Sequence, residues 1–151
     1  MIYIAIATSI FALDFCIKKQ IDKKRKLGEV SSILKDRILI RKYYNKGAIL
    51  DVLEKWPWLV RTFAGIILVI LGGSFAILLR KKGNHGLKLG MSMVIGGGAN
   101  NFYDRLKKGY VIDYFSFKSR WDKLQGIVFN ISDIFIFLGT ALMMLFGRSK
   151  R

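Results

Sequence analysis

Asp113 and Asp133 are the residues of this chain best placed to do chemistry as a pair. Asp133 stands inside an apolar run, "IVFNISDIFIFLGTALMMLF" at 127–146, and Asp113 lies in the polar and aromatic stretch 104–126 before it. Two carboxylates in one partly buried site cannot both ionise cheaply, so they hold one proton between them. One member can then take a proton from water while the other protonates a carbonyl oxygen, which hydrolyses a peptide bond without metal or covalent intermediate. The rest of the inventory agrees. His85 is the single histidine, set among Lys82, Gly83, Asn84 and Gly86 in an expected loop, and Cys16 is the single cysteine. That excludes an intrachain disulfide and a multi-cysteine metal site, and it leaves no base for an activated serine or cysteine.

The neighbours of the pair have helical spacing. Asn130, Asp133, Phe137, Thr140 and Met144 follow a three–four rhythm on one face, with Asn130 and Asp133 as its polar end. Gly97, Asn101, Asp104, Arg105 and Lys108 do the same in the preceding apolar segment, where Gly90, Gly96, Gly97 and Gly98 allow close helix approach. Two polar stripes on different helices are expected to face each other. The same residues admit two other chemistries. The stripes could line a proton or ion path in a small membrane subunit, or Asp104, Asp113 and Asp133 could carry Mg²⁺ for phosphoryl transfer on lipids.

The elements that position these groups are read from hydropathy. The chain has 151 residues, enough for one domain, and is 52% hydrophobic with a formal net charge of +16. Long uncharged apolar runs argue against a nucleic-acid-binding protein and for a basic membrane protein attracted to anionic lipid. Four spans are expected, over 1–17 (with Asp14 near its end), 62–79, 86–103 and 127–146. The first run lacks a basic lead-in and a small-residue cleavage site, so it is expected to stay as a helix. Between the first two spans, "RILIRKYY-NKG-AILDVL" reads as two short strands around an Asn-Lys-Gly turn. "WPW" at 56–58 fits an interfacial anchor. Tyr110, Tyr114, Phe115, Phe117 and Trp121 suit a segment lying at the membrane surface. Loops 18–58 and 104–126 carry most of the lysine and arginine, which by the positive-inside rule would make that side cytoplasmic. Asp14 and Lys18, four apart, could be a simple helix-end ion pair.

Four motifs sharpen the reading. "GGGANNFYDRLKKGYVIDYF" resembles the pattern G-G-A-x-G-N-x-x-D-R-x-x-x-G-x-V-x-D-F of the lipoprotein signal peptidase (signal peptidase II) family, and "FNISD" at 129–133 resembles its F-N-x-A-D. "LDFCIK" at 13–18 is similar to its D-Q-x-x-K, and "NKGA" at 45–48 to the start of its N-x-G-A-A-F. The four come in family order and spacing and cover nearly the whole chain. The resemblance implies an all-α membrane aspartic protease of four transmembrane helices with a small extramembrane β-sheet, needing neither metal nor cofactor. Its substrate would be a diacylglyceryl-modified bacterial prolipoprotein, cut before the lipidated cysteine. Carried over by position, Asp113 and Asp133 are the catalytic pair. Asn101, Arg105 and Asn130 orient the pair or contact substrate, and Asp14, Lys18, Asn45 and Gly47 belong to the first two motifs. The implied topology is a multi-pass protein of the bacterial cytoplasmic membrane, with both termini cytoplasmic and the site towards the outer face. This is opposite to the charge count, and the motifs outweigh a rule that weakens for long loops. The chain departs from the pattern at Gly98, Asn100 and Ser132, where the family has Ala, Gly and Ala, and at Phe15, Ile49 and Leu50.

Overall fold

The computed structural model describes residues 1–47, 55–118 and 126–147. Helix α1 spans Ile2–Lys24, and two strands follow, β1 at Val30–Ile33 and β2 at Ile38–Asn45. Helix α2 covers Pro57–Arg80, α3 His85–Lys107, β3 Val111–Phe117 and α4 Ile131–Phe146. The three strands form one antiparallel sheet in the order β1-β2-β3. Its register sets Tyr43 opposite Asp113 and Asn45 opposite Val111, past an irregularity between Ile40 and Tyr43.

Three helix ends have a local cause. α2 starts at Pro57, whose missing N–H costs nothing in the first turn. α1 ends in Lys23 and Lys24, and Lys42 of β2 reaches back to donate to the Asp22 and Arg25 carbonyls at 2.8 and 3.2 Å. That lysine satisfies orphan carbonyls at a helix C-terminus and ties the sheet to α1. α4 starts later than the apolar run suggests, at Ile131 and not 127, because Asn130 is its N-cap. Phe129 instead pairs with Phe115 as an isolated bridge beside β3.

α3 lies among the other helices, packed on α1, α2 and α4. Its glycines make this possible. A Cβ on Gly97 would stand 2.6 Å from the Ser132 carbonyl oxygen of α4, and one on Gly96 would stand 2.5 Å from the Ala7 oxygen of α1. The backbones therefore meet with no side chain between them.

The interior is inverted relative to a water-soluble protein. Among the most deeply buried side chains are Lys18, Asn100, Asn130, Asp14, Asp104 and Asp113. Val69 is 76% exposed and Phe137 74%, with Phe63, Ile66, Ile67, Ile70 and Leu145 also on the outside. Hydrocarbon forbids unpaired polar groups, so a chain with this arrangement is polar within and apolar without.

Several expectations change. α2, at 24 residues or about 36 Å, is the single described helix long and apolar enough to cross a membrane by length and composition, and α4 is apolar but has 16 residues. α1 misses the same criterion because every stretch of sufficient length in it carries at least three charged residues, Asp14, Lys18 and Lys19 in the first, and α3 because its glycines, Asn100, Asn101 and His85 make it too polar on average. α1 also runs through its lysines to Lys24 and does not stop at residue 17. Ile38–Asn45 is a strand as expected, but its described partners are β1 and β3, and the expected second strand over 48–53 lies outside the described residues. The 104–126 stretch is not simply a surface segment: its centre is β3, with Tyr114 buried, while Phe117 is half exposed and Trp121 lies outside the described residues.

Candidate active site

Asp113 is held by β3, paired on β2, and it is 1% exposed. Its two oxygens are occupied separately. Asn130 Nδ2 donates to Oδ1 at 2.6 Å, and Asn45 Nδ2 donates to Oδ2 at 2.9 Å. Burial first, and the Asp133 charge second, push the Asp113 carboxyl up to about 7, while the two amide donors work the other way. A proton on this group near neutrality is therefore available.

Asp133 is placed by the start of α4. Asn130 Oδ1 accepts from Asp133 N at 3.0 Å, and Asp133 Oδ2 accepts from Asn130 N at 3.0 Å, a reciprocal capping box. Asn101 Nδ2 of α3 donates to Asp133 Oδ1 at 2.8 Å. Asn130 thus touches both aspartates, one through its amide nitrogen and the other through its cap. The sequence expectation that Asn130 lies on the helical face of Asp133 is corrected: it precedes the helix and reaches Asp113 because its own backbone is extended.

Behind the pair lies a buried ion cluster. Lys18 Nζ is 2.9 Å from Asp14 Oδ2 and 3.1 Å from Asp104 Oδ2, and it donates to Asn100 Oδ1 and Asn101 Oδ1, each at 2.7 Å. A lysine this deep needs several partners, and it has them. Asp14 and Lys18 are more than a helix-end ion pair, since both are essentially inaccessible. Asp14 also accepts from Tyr114 and Ser132. Tyr114 keeps its proton, because burial and then the Asp14 charge raise its phenol above the ordinary value.

A cavity of about 780 Å³ opens in front. Its polar end is formed by Asn45, Asn101, Arg105 and Asp133, and its walls by Leu68 and Leu71 of α2, Val94 of α3, and Ile136, Phe137 and Thr140 of α4. Asn45 Oδ1 and Arg105 Nε are both buried and have no hydrogen-bond partner among the described residues. An unmet acceptor and an unmet donor at one cavity end suit a ligand that offers the complement of each, as a peptide group does.

Of the residues singled out in sequence, Asp113, Asp133, Asn101, Asn130 and Asn45 therefore meet around one centre, with Arg105 on the cavity wall and Asp14 and Lys18 behind. Gly47 is buried just past β2, next to the undescribed residues. Met144 does not line the cavity and is 71% exposed. Asp104 faces Lys18 and Lys108, the latter at 3.0 Å, and not the aspartate pair. With N–H donors on both oxygens of Asp113 and of Asp133, the three aspartates do not form a Mg²⁺ ligand set. What sequence reading missed is the hydroxyl of Tyr114, a residue expected only as an aromatic ring at the membrane surface. Its signal was a hydroxyl directly after the first aspartate, where the motif has phenylalanine.

A family model described as signal peptidase (SPase) II matches residues 6–147. A lipoprotein signal peptidase of Halothermothrix orenii is 30% identical over 146 residues, covering 97% of this chain and 94% of its own length. One of Brevibacillus brevis is 32% identical over 145 residues, covering 96% and 93%. A solved structure described as a bacterial membrane enzyme superposes with a TM-score of 0.79 at 22% identity, covering 99% of this chain and 92% of that one, which establishes a shared fold.

Proposed function

Because this chain belongs to the signal peptidase II family of lipoprotein-processing peptidases, we propose that Asp113 and Asp133 are its catalytic dyad and that it is an aspartic endopeptidase. The observation that carries this is Asn130, which hydrogen-bonds Asp113 Oδ1 while locking Asp133 by a capping box. One residue bonded to two carboxylates from different elements keeps them close enough to titrate as a pair.

In the resting site the pair holds one proton. Water placed between the carboxylates gives a proton to the ionised member and attacks the scissile carbonyl carbon. The protonated member donates to the carbonyl oxygen, forming a neutral gem-diol. Its collapse breaks the C–N bond as the protonated carboxyl gives its proton to the leaving nitrogen and the ionised carboxylate takes a hydroxyl proton from the gem-diol, which restores the singly protonated pair. Arg105 and Asn45, with their unmet donor and acceptor at the cavity end, hold the substrate backbone in register with the pair.

The substrate is a diacylglyceryl-modified prolipoprotein, cut before its lipidated cysteine. An apolar cavity with a polar end fits this: the acyl chains lie along Leu68, Leu71 and Val94 while the peptide meets the polar groups. The four helices cross the bacterial cytoplasmic membrane. α1 and α3 are admitted because Asp14, Lys18, Lys88 and Asp104 turn inward while Lys19, Lys23, Lys24 and Lys107 sit near the helix ends, and α4 despite its length of about 24 Å. Both termini are cytoplasmic, and the sheet with the site lies towards the outer face.

The test is incubation of the purified protein with a diacylglyceryl-modified precursor. Asp113→Asn and Asp133→Asn each yield folded protein that leaves the precursor uncut, and EDTA has no effect on the parent enzyme. Normal processing by either variant would remove the dyad.

A further inference from the structure

Two hydroxyl groups that the reaction does not use sit immediately beside the two aspartates in the chain. Tyr114 follows Asp113 on β3, and Ser132 precedes Asp133 on α4. Both are buried. They converge on one carboxylate of a third element: Tyr114 Oη donates to Asp14 Oδ1 at 2.8 Å, and Ser132 Oγ donates to Asp14 Oδ2 at 2.5 Å. Tyr114 Oη also accepts from Ile131 N at 2.9 Å, an amide in the first turn of α4 that the helix itself leaves unpaired.

We propose that Tyr114 and Ser132 are positioning residues, which with Asp14 clamp β3 to α4 and so fix the separation of Asp113 and Asp133. The clamp rests on the dyad being the catalytic pair. Its geometry is specific. The two oxygens of a single planar carboxylate are taken by different elements, so sliding β3 along α4 breaks one bond or the other. Lys18, one turn along the same helix, lies 2.9 Å from Asp14 Oδ2 and ties the carboxylate to α1, so it does not simply follow β3 or α4. Packing alone does not need these hydroxyls, because phenylalanine and alanine fill nearly the same volume with no donor. Neither residue lines the cavity, so neither contacts a substrate bound there.

The charged groups around the pair are Arg105 and the Lys18–Asp14–Asp104 cluster, and removing a hydroxyl takes away none of these charges. What changes is the distance between two like charges. Held less closely, the carboxylates repel less, and the proton they share is lost at lower pH.

The experiment uses the full chain in detergent with a diacylglyceryl-modified precursor, comparing Tyr114→Phe, Ser132→Ala and their double variant, each normalised to its folded fraction. Both single variants lose kcat by roughly tenfold with KM within about twofold, as expected for a misplaced reacting group. The alkaline limb of their pH profiles moves to lower pH. The double variant loses less than the product of the two, because both hydroxyls act through one carboxylate. Unchanged kcat, or a lower kcat with the alkaline limb unmoved, overturns the clamp. Should Tyr114→Phe not fold, Ser132→Ala decides alone. Asp113→Asn and Asp133→Asn run beside them: if these retain activity the dyad itself fails, whereas if they are inactive the hydroxyl variants bear on the clamp only.

Discussion

Lys18 Nζ donates to Asn101 Oδ1 at 2.7 Å, and that contact decides which way the Asn101 amide faces. A lysine has three donors and no acceptor, so the amide oxygen must point towards it. The Asn101 nitrogen is then left for Asp133 Oδ1, at 2.8 Å. Asn100 obeys the same logic, with its oxygen on Lys18 at 2.7 Å and its nitrogen on the Phe11 carbonyl at 2.8 Å. A buried cation behind Asp133 thus sets the donor pattern that this aspartate meets.

Removing that cation leaves Asp14 and Asp104 facing each other across a dry interior. Lys18→Met is therefore expected to destabilise the protein by about 3–5 kcal/mol, the range for breaking a buried ion pair from one side. Thermal unfolding in detergent measures it. Asp104 keeps Lys108 at 3.0 Å, so Asp14 bears most of the loss. A melting temperature equal to that of the parent would show the cluster to be without energetic weight.

Activity should depend on pH with a definite sign. In the proposed mechanism the pair works with one proton, and the Asp113 carboxyl is pushed up to about 7. Raising the pH through that value removes the proton, so kcat falls on the alkaline side. Asn45 Nδ2 stabilises the ionised form of Asp113 by its 2.9 Å bond. Asn45→Ala removes that support, the carboxyl keeps its proton to higher pH, and the alkaline limb moves up. A pH–rate profile of the two proteins checks it, and a limb that stays or moves down contradicts the assignment.

How much of this could be read from sequence depends on the residue. Asp133 stood out because an acid inside an apolar run is costly and rarely without purpose, whereas Asp113, in a polar stretch, stood out only through its motif. α2 was legible because its apolar run is uninterrupted. Asn130 as a helix cap was not, since 127–130 is as apolar as the helix that follows, and only the Phe115–Phe129 bridge shows why the chain is still extended there. β1 was hidden because "VSSI" is short and gains its place from pairing with Ile38–Arg41 of β2. The Lys18 cluster was half legible: the spacing of Asp14 and Lys18 announced an ion pair, but its burial comes from α3 lying alongside, which no local pattern encodes. Tyr114 was read as an aromatic ring for the membrane surface, when its hydroxyl is the part that the fold uses.

The contact between α3 and α4 gives a prediction about packing. Gly97 faces the Ser132 carbonyl so closely that an added Cβ would lie 2.6 Å from it. Backbone cannot yield as a flexible side chain would, so Gly97→Ala must push α4 away from α3 at a cost of about 1–3 kcal/mol. The same shift carries Asp133 away from Asn101. Reduced stability together with a fall in kcat is expected, by thermal unfolding and by precursor cleavage. Gly72→Ala, on α2 with open space around its Cβ position, serves as the control and leaves both unchanged.

Asn130 and Thr140 make a discriminating pair, since both are on or beside α4 near the cavity. Thr140 Oγ1 donates to the Ile136 carbonyl within its own helix at 2.7 Å and bonds neither aspartate. Asn130 donates to Asp113, accepts from Asp133 N, and has its own N–H on Asp133 Oδ2. Asn130→Ala keeps only the last of these. Loss of the cap costs about 1 kcal/mol of stability, but the larger effect is on geometry, because nothing then spans the two carboxylates directly. We expect kcat to drop about a hundredfold, the scale for an ångström of misplacement at a reacting group, while Thr140→Ala stays within about threefold of the parent. Precursor-cleavage rates at saturating substrate compare them. Equal losses would mean that the cavity wall, and not the bridge between the aspartates, governs turnover.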